Sequence, residues 1–199
     1  MASLPDPLDH RSSDHDILEL FLKRWSPRAM TGDPIPPQTL HRLFEAARWA
    51  PSTYNEQEWR FLYAHRESAD WKTFFGLLME ANQIWCQHAG VLIVALSKKT
   101  FTKNGKPNAV HSLDTGMAVQ NLLLQAASIP GLMAHGMGGF DRNKTRVALG
   151  VPDDYEIECM IAVGIAGDPE KLPPELKERE IPSQRKPVGE FAKPGRFAF

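Results

Sequence analysis

Two arginines and a serine fall within five residues in Arg24-Trp25-Ser26-Pro27-Arg28. Guanidinium groups keep their charge and present planar, bidentate donors, so two of them hold a phosphate dianion that one lysine would hold loosely. A second segment, Pro51-Ser52-Thr53-Tyr54-Asn55-Glu56-Gln57-Glu58-Trp59, places short donors and acceptors between a helical pattern and a strand. That composition suits a polar ligand bound by a loop. In Gly136-Met137-Gly138-Gly139-Phe140-Asp141 the glycines let backbone amides approach a ligand closely. Ser183-Gln184-Arg185-Lys186-Pro187 adds cationic donors near the C-terminus. Taken singly, arginines are mostly solvated and Ser, Thr and Asn mostly turn formers. Recurrence of cations in separate segments is what favours an anion site.

Other chemistries are excluded or weakened by the same residues. A dinucleotide fingerprint would need a third glycine at position 141, which is Asp. No Gly-x-Ser-x-Gly elbow occurs, and no two histidines show metal-ligand spacing. Cys86 and Cys159 sit in apolar stretches and read as core thiols, while His111 and His135 read as structural hydrogen-bonding residues. Lys98, Lys99, Lys103 and Lys106 read as a solvated loop.

The elements that position these segments follow from periodicity and punctuation. Ser13-Asp14-His15-Asp16 supplies cap-type residues before Ile17, Leu18, Phe21, Leu22 and Trp25, predicting a first helix that delivers Arg24 and Ser26 at its end. Pro37 opens a second helix through Leu40, Leu43, Phe44 and Ala47, and Pro51 stops it. Strands are predicted over Trp59 to Ala64, Gly90 to Leu96, Leu132 to Met137 and Tyr155 to Gly164. Ser68 is the expected cap of a third helix through Leu78, and Val110 to Ile129 is expected as a helix apolar on most sides, central and at a subunit interface. Asp141 caps the helix after the glycine loop and Gly150 ends it. A short helical stretch near Glu175 to Glu180 precedes an extended tail. Helices and strands interleave without doubly wound regularity, which favours an α+β sandwich. The expected organisation is a flexible segment over 1–12, a domain over 13–170 and an extension over 171–199.

The four segments together resemble the nitroreductase family. Arg24-Trp25-Ser26-Pro27-Arg28 is similar to its Arg-x-Ser-x-Arg element, and Pro51 to Trp59 to its Pro-Ser-x-x-Asn-x-Gln-Pro-Trp element. Gly136 to Asp141 is similar to the loop that passes the flavin ring, and Arg185 sits where the family keeps a late basic residue. The resemblance spans roughly Ile17 to Lys186 and departs at Glu58, where the family has Pro; where its flavin loop often carries an acidic residue, this chain has Gly138. It implies a three-layer sandwich with a central, mostly antiparallel sheet, an intertwined homodimer wrapped by the C-terminal extension, and FMN at the interface. It implies further that Arg24, Ser26 and Arg185 bind the phosphate end and Arg28 the ribityl or pyrimidine edge. Ser52, Thr53 and Asn55 would come from the other subunit, and Met137, Gly138 and Gly139 would lie around N5, with Trp25 and Gln57 as secondary contacts. NADH or NADPH is the implied reductant and a nitroaromatic, quinone or similar small molecule the acceptor, by a ping-pong route. The flavin carries the chemistry, so no catalytic side chain is assigned. The same architecture hosts flavin-dependent dehydrogenases and dehalogenases, and a non-enzymatic flavin-binding protein is the reading outside enzymology.

Composition agrees with one globular domain. The 199 residues are 42% hydrophobic and 24% charged, with a formal net charge of −1. That balance argues against nucleic acid as a partner. The N-terminus lacks a basic region followed by an apolar core, and no run is long enough to span a bilayer, so a cytoplasmic protein with no membrane partner is expected.

Overall fold

The computed structural model describes residues 3–197, so Met1-Ala2 of the N-terminal segment and Ala198-Phe199 of the extension lie outside the described residues. In chain order come α1 (Pro7–His10), α2 (Glu19–Lys23), α3 (Pro37–Arg48), β1 (Trp59–His65), α4 (Trp71–Phe75), α5 (Glu80–Cys86), β2 (Val91–Lys98), α6 (His111–Ala127), β3 (Leu132–Met137), α7 (Arg142–Ala148), β4 (Tyr155–Ile165) and α8 (Pro174–Lys177). The strands form a sheet in the order β1-β2-β4-β3, antiparallel at every pairing.

Alternation along β2 divides the core. Leu92, Val94 and Leu96 face Phe74, Leu77, Trp85 and Phe140, whereas Val91 and Ile93 face Leu40 and Leu43 of α3 and Ala118 and Leu122 of α6. Helices therefore cover both faces, which is the three-layer α+β sandwich the sequence predicts. Between β2 and β4 the register shifts: Ala95 pairs Cys159, Leu96 pairs Ile157, and Glu158 is the extra residue of a β-bulge. A bulge re-aims its side chain. Glu158 accepts from the Ser97 and Ser112 hydroxyls beside His111, so this polar group sits where the sheet meets the start of α6.

Pro37 occupies the first turn of α3, and Asp141 accepts the Lys144 N–H at 2.9 Å as the cap of α7. Gly150 takes φ 62°, the left-handed conformation that ends a helix most cheaply in glycine.

Three local expectations are corrected. α2 spans five residues, begins at Glu19 with Leu18 as an N-cap that makes no side-chain hydrogen bond, and leaves Ser13 to Asp16 outside it; the apolar period there marks Ile17, Leu18 and Phe21, which this chain leaves 46–71% exposed. Ser68 donates its hydroxyl to His65 O instead of capping a helix, and the predicted third helix stops at Gly76, with α5 starting separately after Met79. α6 buries one stripe, Asp114, Thr115, Ala118, Leu122 and Ala126, and leaves Leu113 63% exposed. Within one chain it is half-covered, not central.

Candidate functional site

The segment Arg24 to Met30 runs extended after α2 and is held by its backbone. Glu180 is buried; its Oε1 accepts the N–H groups of Arg28 at 2.5 Å and Ala29 at 2.8 Å, and its Oε2 pairs with the Arg28 guanidinium at 3.3 Å. From β3, His135 shares a 3.0 Å hydrogen bond with Pro27 O. A carbonyl only accepts, so Nδ1 carries the proton and donates. Burial pushes His135 down to about 4; the bond to Pro27 opposes this, and the Arg28 and Arg24 charges add to it. Met30 bridges Ala166, while Thr31 N–H donates to Ile165 O and Gly167 N–H to Ala29 O, fastening the segment to the end of β4.

With the backbone fixed, Arg24, Trp25, Ser26, Arg28 and Arg185 line one cavity of about 300 Å³ beside His135. Arg24 Nη1 lies 3.4 Å from Ser26 Oγ, and Arg185 Nη1 donates to Ser183 Oγ at 3.0 Å. Arg11 joins them, donating to Ser183 O, Leu22 O and Arg24 O at 2.7–2.9 Å. Burial and the Arg185 charge hold Arg24 below its ordinary value, and burial with Arg185 and Arg24 does the same to Arg11. Among the described residues no carboxylate forms an ion pair with Arg11, Arg24 or Arg185. Three mutually repelling cations on a concave surface make a site for an anion. Arg28 differs, because Glu180 already answers its charge.

The loop from Pro51 to Glu58 lies elsewhere. A single turn at Thr53–Asn55 contains left-handed backbone at Tyr54 (φ 55°) and Asn55 (φ 58°), and Gln57 (φ 55°) follows in the same conformation. Such residues cost about 1–3 kcal/mol each unless their surroundings hold them. Here the Thr53 N–H donates to Asp114 Oδ2 at 2.7 Å, the Gln57 N–H to Ser52 Oγ at 3.0 Å, and the Gln57 side-chain amide to Asn55 O at 3.0 Å. Glu56 accepts the Thr102 N–H at 2.8 Å, and Tyr54 meets Phe101 edge-on at 5.8 Å. The loop is thus shaped before any ligand arrives.

The glycine segment closes β3. Gly139 O accepts from Asn82 Nδ2 at 2.9 Å and from the Met79 N–H at 3.1 Å, and a methyl group at Gly139 would stand 2.6 Å from Asn82 Nδ2. At Gly136 and Gly138 a methyl group would meet no atom within 4 Å. This loop is anchored behind and open in front. Neither the cavity beside His135 nor the adjoining one of about 860 Å³, lined by Arg11, Arg24, Arg185, Phe21 and Phe191, is lined by Ser52 to Gln57 or by Met137 to Gly139. One chain therefore assembles Arg24, Trp25, Ser26, Arg28 and Arg185, and presents the other two sets separately.

Two contributors escape sequence reasoning. Arg11 lies in a polar stretch with no period to mark it, and Glu180 is one glutamate among several; only the fold brings them to Arg24 and Arg28. Cys86 and Cys159 behave as core thiols: burial pushes Cys86 up, and burial with the Glu158 charge pushes Cys159 up to about 11. Among the described residues no helix is long and apolar enough to cross a membrane, and no cluster of His, Cys, Asp and Glu suits a metal ion.

Comparison with known proteins agrees with this geometry. The nitroreductase family model matches residues 22–83 and 65–165, and the chain belongs to that family. A crystal structure described as an oxidoreductase containing FMN is 43% identical, covers 94% of this chain and 96% of its own, and superposes with a TM-score of 0.90. Nitroreductase family proteins from Clostridium difficile 630 and Streptococcus pneumoniae TIGR4 share the fold at 21% and 22% identity, each with a TM-score of 0.69; they cover 92% and 88% of this chain and 100% and 98% of their own. Comparison with curated proteins gives no match.

Proposed function

We propose that this chain is an FMN-dependent oxidoreductase that uses NADH or NADPH and acts as a homodimer with its flavin between subunits. The observation that carries the reading is the Arg11-Arg24-Arg185 cluster beside Ser26, which has no carboxylate ion pair among the described residues and fits the phosphate of FMN. The 43% identical structure containing FMN supports the same cofactor. When bound, FMN would supply the redox chemistry that links a nicotinamide reductant to a nitroaromatic, quinone or similar acceptor.

The residues of the chain hold and orient. Arg24, Ser26 and Arg185 take the phosphate, and Arg28, fixed by Glu180, presents its remaining donors toward the ribityl or pyrimidine edge. Ser52, Thr53 and Asn55 complete the site from the second subunit, with Gln57 behind them and Trp25 beside the phosphate. The backbone at Met137, Gly138 and Gly139, open in front at Gly138, would line the flavin ring. Two features support a site made by two chains: the separation of these sets within one chain, and the exposed apolar residues Ile17, Leu18, Phe21, Leu113 and Phe191. Apolar surface of this kind marks an interface.

The visible spectrum of the purified protein, identification of the released chromophore, and anaerobic addition of NADH and then NADPH test the proposal. A bound FMN that bleaches with either nucleotide is the expected result. A colourless protein that does not take up added FMN would overturn it.

A further inference from the structure

The loop bearing Ser52, Thr53 and Asn55 is anchored at both ends by carboxyl groups that face no cation. Glu58, just before β1, is 1% exposed; its Oε1 accepts from Asn108 Nδ2 at 2.7 Å, and its Oε2 meets no hydrogen-bond donor. Asp114, on the buried stripe of α6, is 3% exposed and accepts the Thr53 N–H through Oδ2. The two carboxyl groups lie within hydrogen-bond reach of one another. Two ionised carboxylates in contact away from water repel strongly, and a buried oxygen without a donor costs its full desolvation. One proton removes both penalties: Glu58 Oε2–H donates to the Asp114 carboxylate, which keeps a lone pair for Thr53.

The surrounding charges leave that solution in place. Lys98 on β2 and Arg60 on β1 act on Glu56, at the loop's outer side. His111, at the start of α6, is engaged by Ser97, Ser112 and Glu158. The long loop after β2 contributes the neutral Asn108 amide. Among the described residues, Asp114 is the charged group that acts on Glu58.

We infer that a single proton shared between Glu58 and Asp114 locks the Ser52–Gln57 loop in its ligand-ready shape, making Glu58 a positioning residue and cofactor binding sensitive to pH. The loop's grip on FMN rests on the proposed function; the shared proton does not. Burial and then the Asp114 charge raise Glu58 above the ordinary carboxylate range. The locked loop is therefore favoured at low pH and is lost as pH rises through the raised value.

Two readouts in the full chain test this between about pH 5 and about pH 8. One is the hydrogen-exchange protection of the Thr53 amide, which needs no flavin. The other is the FMN dissociation constant from flavin fluorescence. In the wild type both should worsen by up to about tenfold per pH unit above the transition, the limit for one linked proton. In Glu58→Gln the side-chain amide supplies the hydrogen permanently, and both profiles should flatten at the low-pH value. Asp114→Asn provides a second route, since its amide donates to Glu58 Oε2 while its oxygen still accepts from Thr53, and it should also flatten them. A flat wild-type profile for Thr53, or a slope that survives in both variants, would overturn the inference. If Thr53 shows the predicted profile and FMN does not bind at any pH, the shared proton stands and the assignment of the site to FMN fails.

Discussion

The arginine cluster and the Ser52–Gln57 loop are both crowded with like charge, and they resolve it in opposite ways. Among the described residues Arg11, Arg24 and Arg185 have no carboxylate partner, and they keep the cost of a mutual repulsion that the fold creates by bringing the two ends of the chain together. Glu58 and Asp114, also without a counter-ion, sit deeper and close the account internally with a proton. The difference is one of access. A half-buried cation can wait for a soluble anion, whereas a sealed carboxylate has only protons and neighbouring donors to draw on.

That contrast is broken most severely by removing the cations. Arg24→Ala with Arg185→Ala should raise the FMN dissociation constant about a thousandfold, from two charge-assisted contacts at about 2 kcal/mol each. Urea unfolding should hardly change, because neither side chain supports the core. Unchanged affinity by fluorescence titration would mean that the cluster serves another purpose. Glu180→Ala tests the one cation that is paired: it strips the acceptor from two backbone amides and leaves Arg28 without its partner. A stability loss of about 3 kcal/mol is expected, with cofactor affinity falling as a consequence of the displaced Arg24–Arg28 segment.

A smaller effect should come from His135, which the native fold holds neutral down to about 4. As pH falls from about 6.5 the unfolded chain takes up a proton that the folded chain refuses, so stability declines until about pH 4, by up to about 3 kcal/mol. His135→Gln, whose amide can still donate to Pro27, should remove that part of the acid dependence in urea titrations at successive pH values. The mildest change is Glu56→Gln at the exposed rim of the loop, expected to shift stability by less than about 0.5 kcal/mol. A larger loss would show that the Thr102 contact, not the buried carboxyl pair, holds the loop.

Much of this arrangement was legible because the deciding forces were local. β3 runs over Leu132–Met137, the residues its pattern picked out, and Pro37, Asp141 and Gly150 act where helix punctuation predicts. The start of the helix before Arg24 was not legible, because the apolar period of Ile17, Leu18 and Phe21 describes a face that this chain does not bury itself. Ser68 was misread since its hydroxyl had a competing acceptor in His65 O. The candidate site divided in the same manner. Motif spacing picked out Arg24, Ser26 and Arg185, which the fold gathers round one cavity. Glu180 acts on Ala29 across 151 residues and Arg11 on Ser183 across 172, where no window of sequence reports a neighbour. Glu58 stood out only as a carboxylate where a proline was expected; its partner Asp114 lies in the first turn of α6, where an acidic residue is ordinary helix punctuation.

At the far side of the arginine-bearing segment, a methyl group on Gly167 would stand 2.7 Å from the carbonyl carbon of Met30 and 2.9 Å from its oxygen. That glycine is a spacer of zero thickness between the segment carrying Arg24 to Met30 and the end of β4. Because the contact is backbone against backbone, no rotamer can absorb an added carbon. The stand-off of the segment at Met30 is set by a missing side chain.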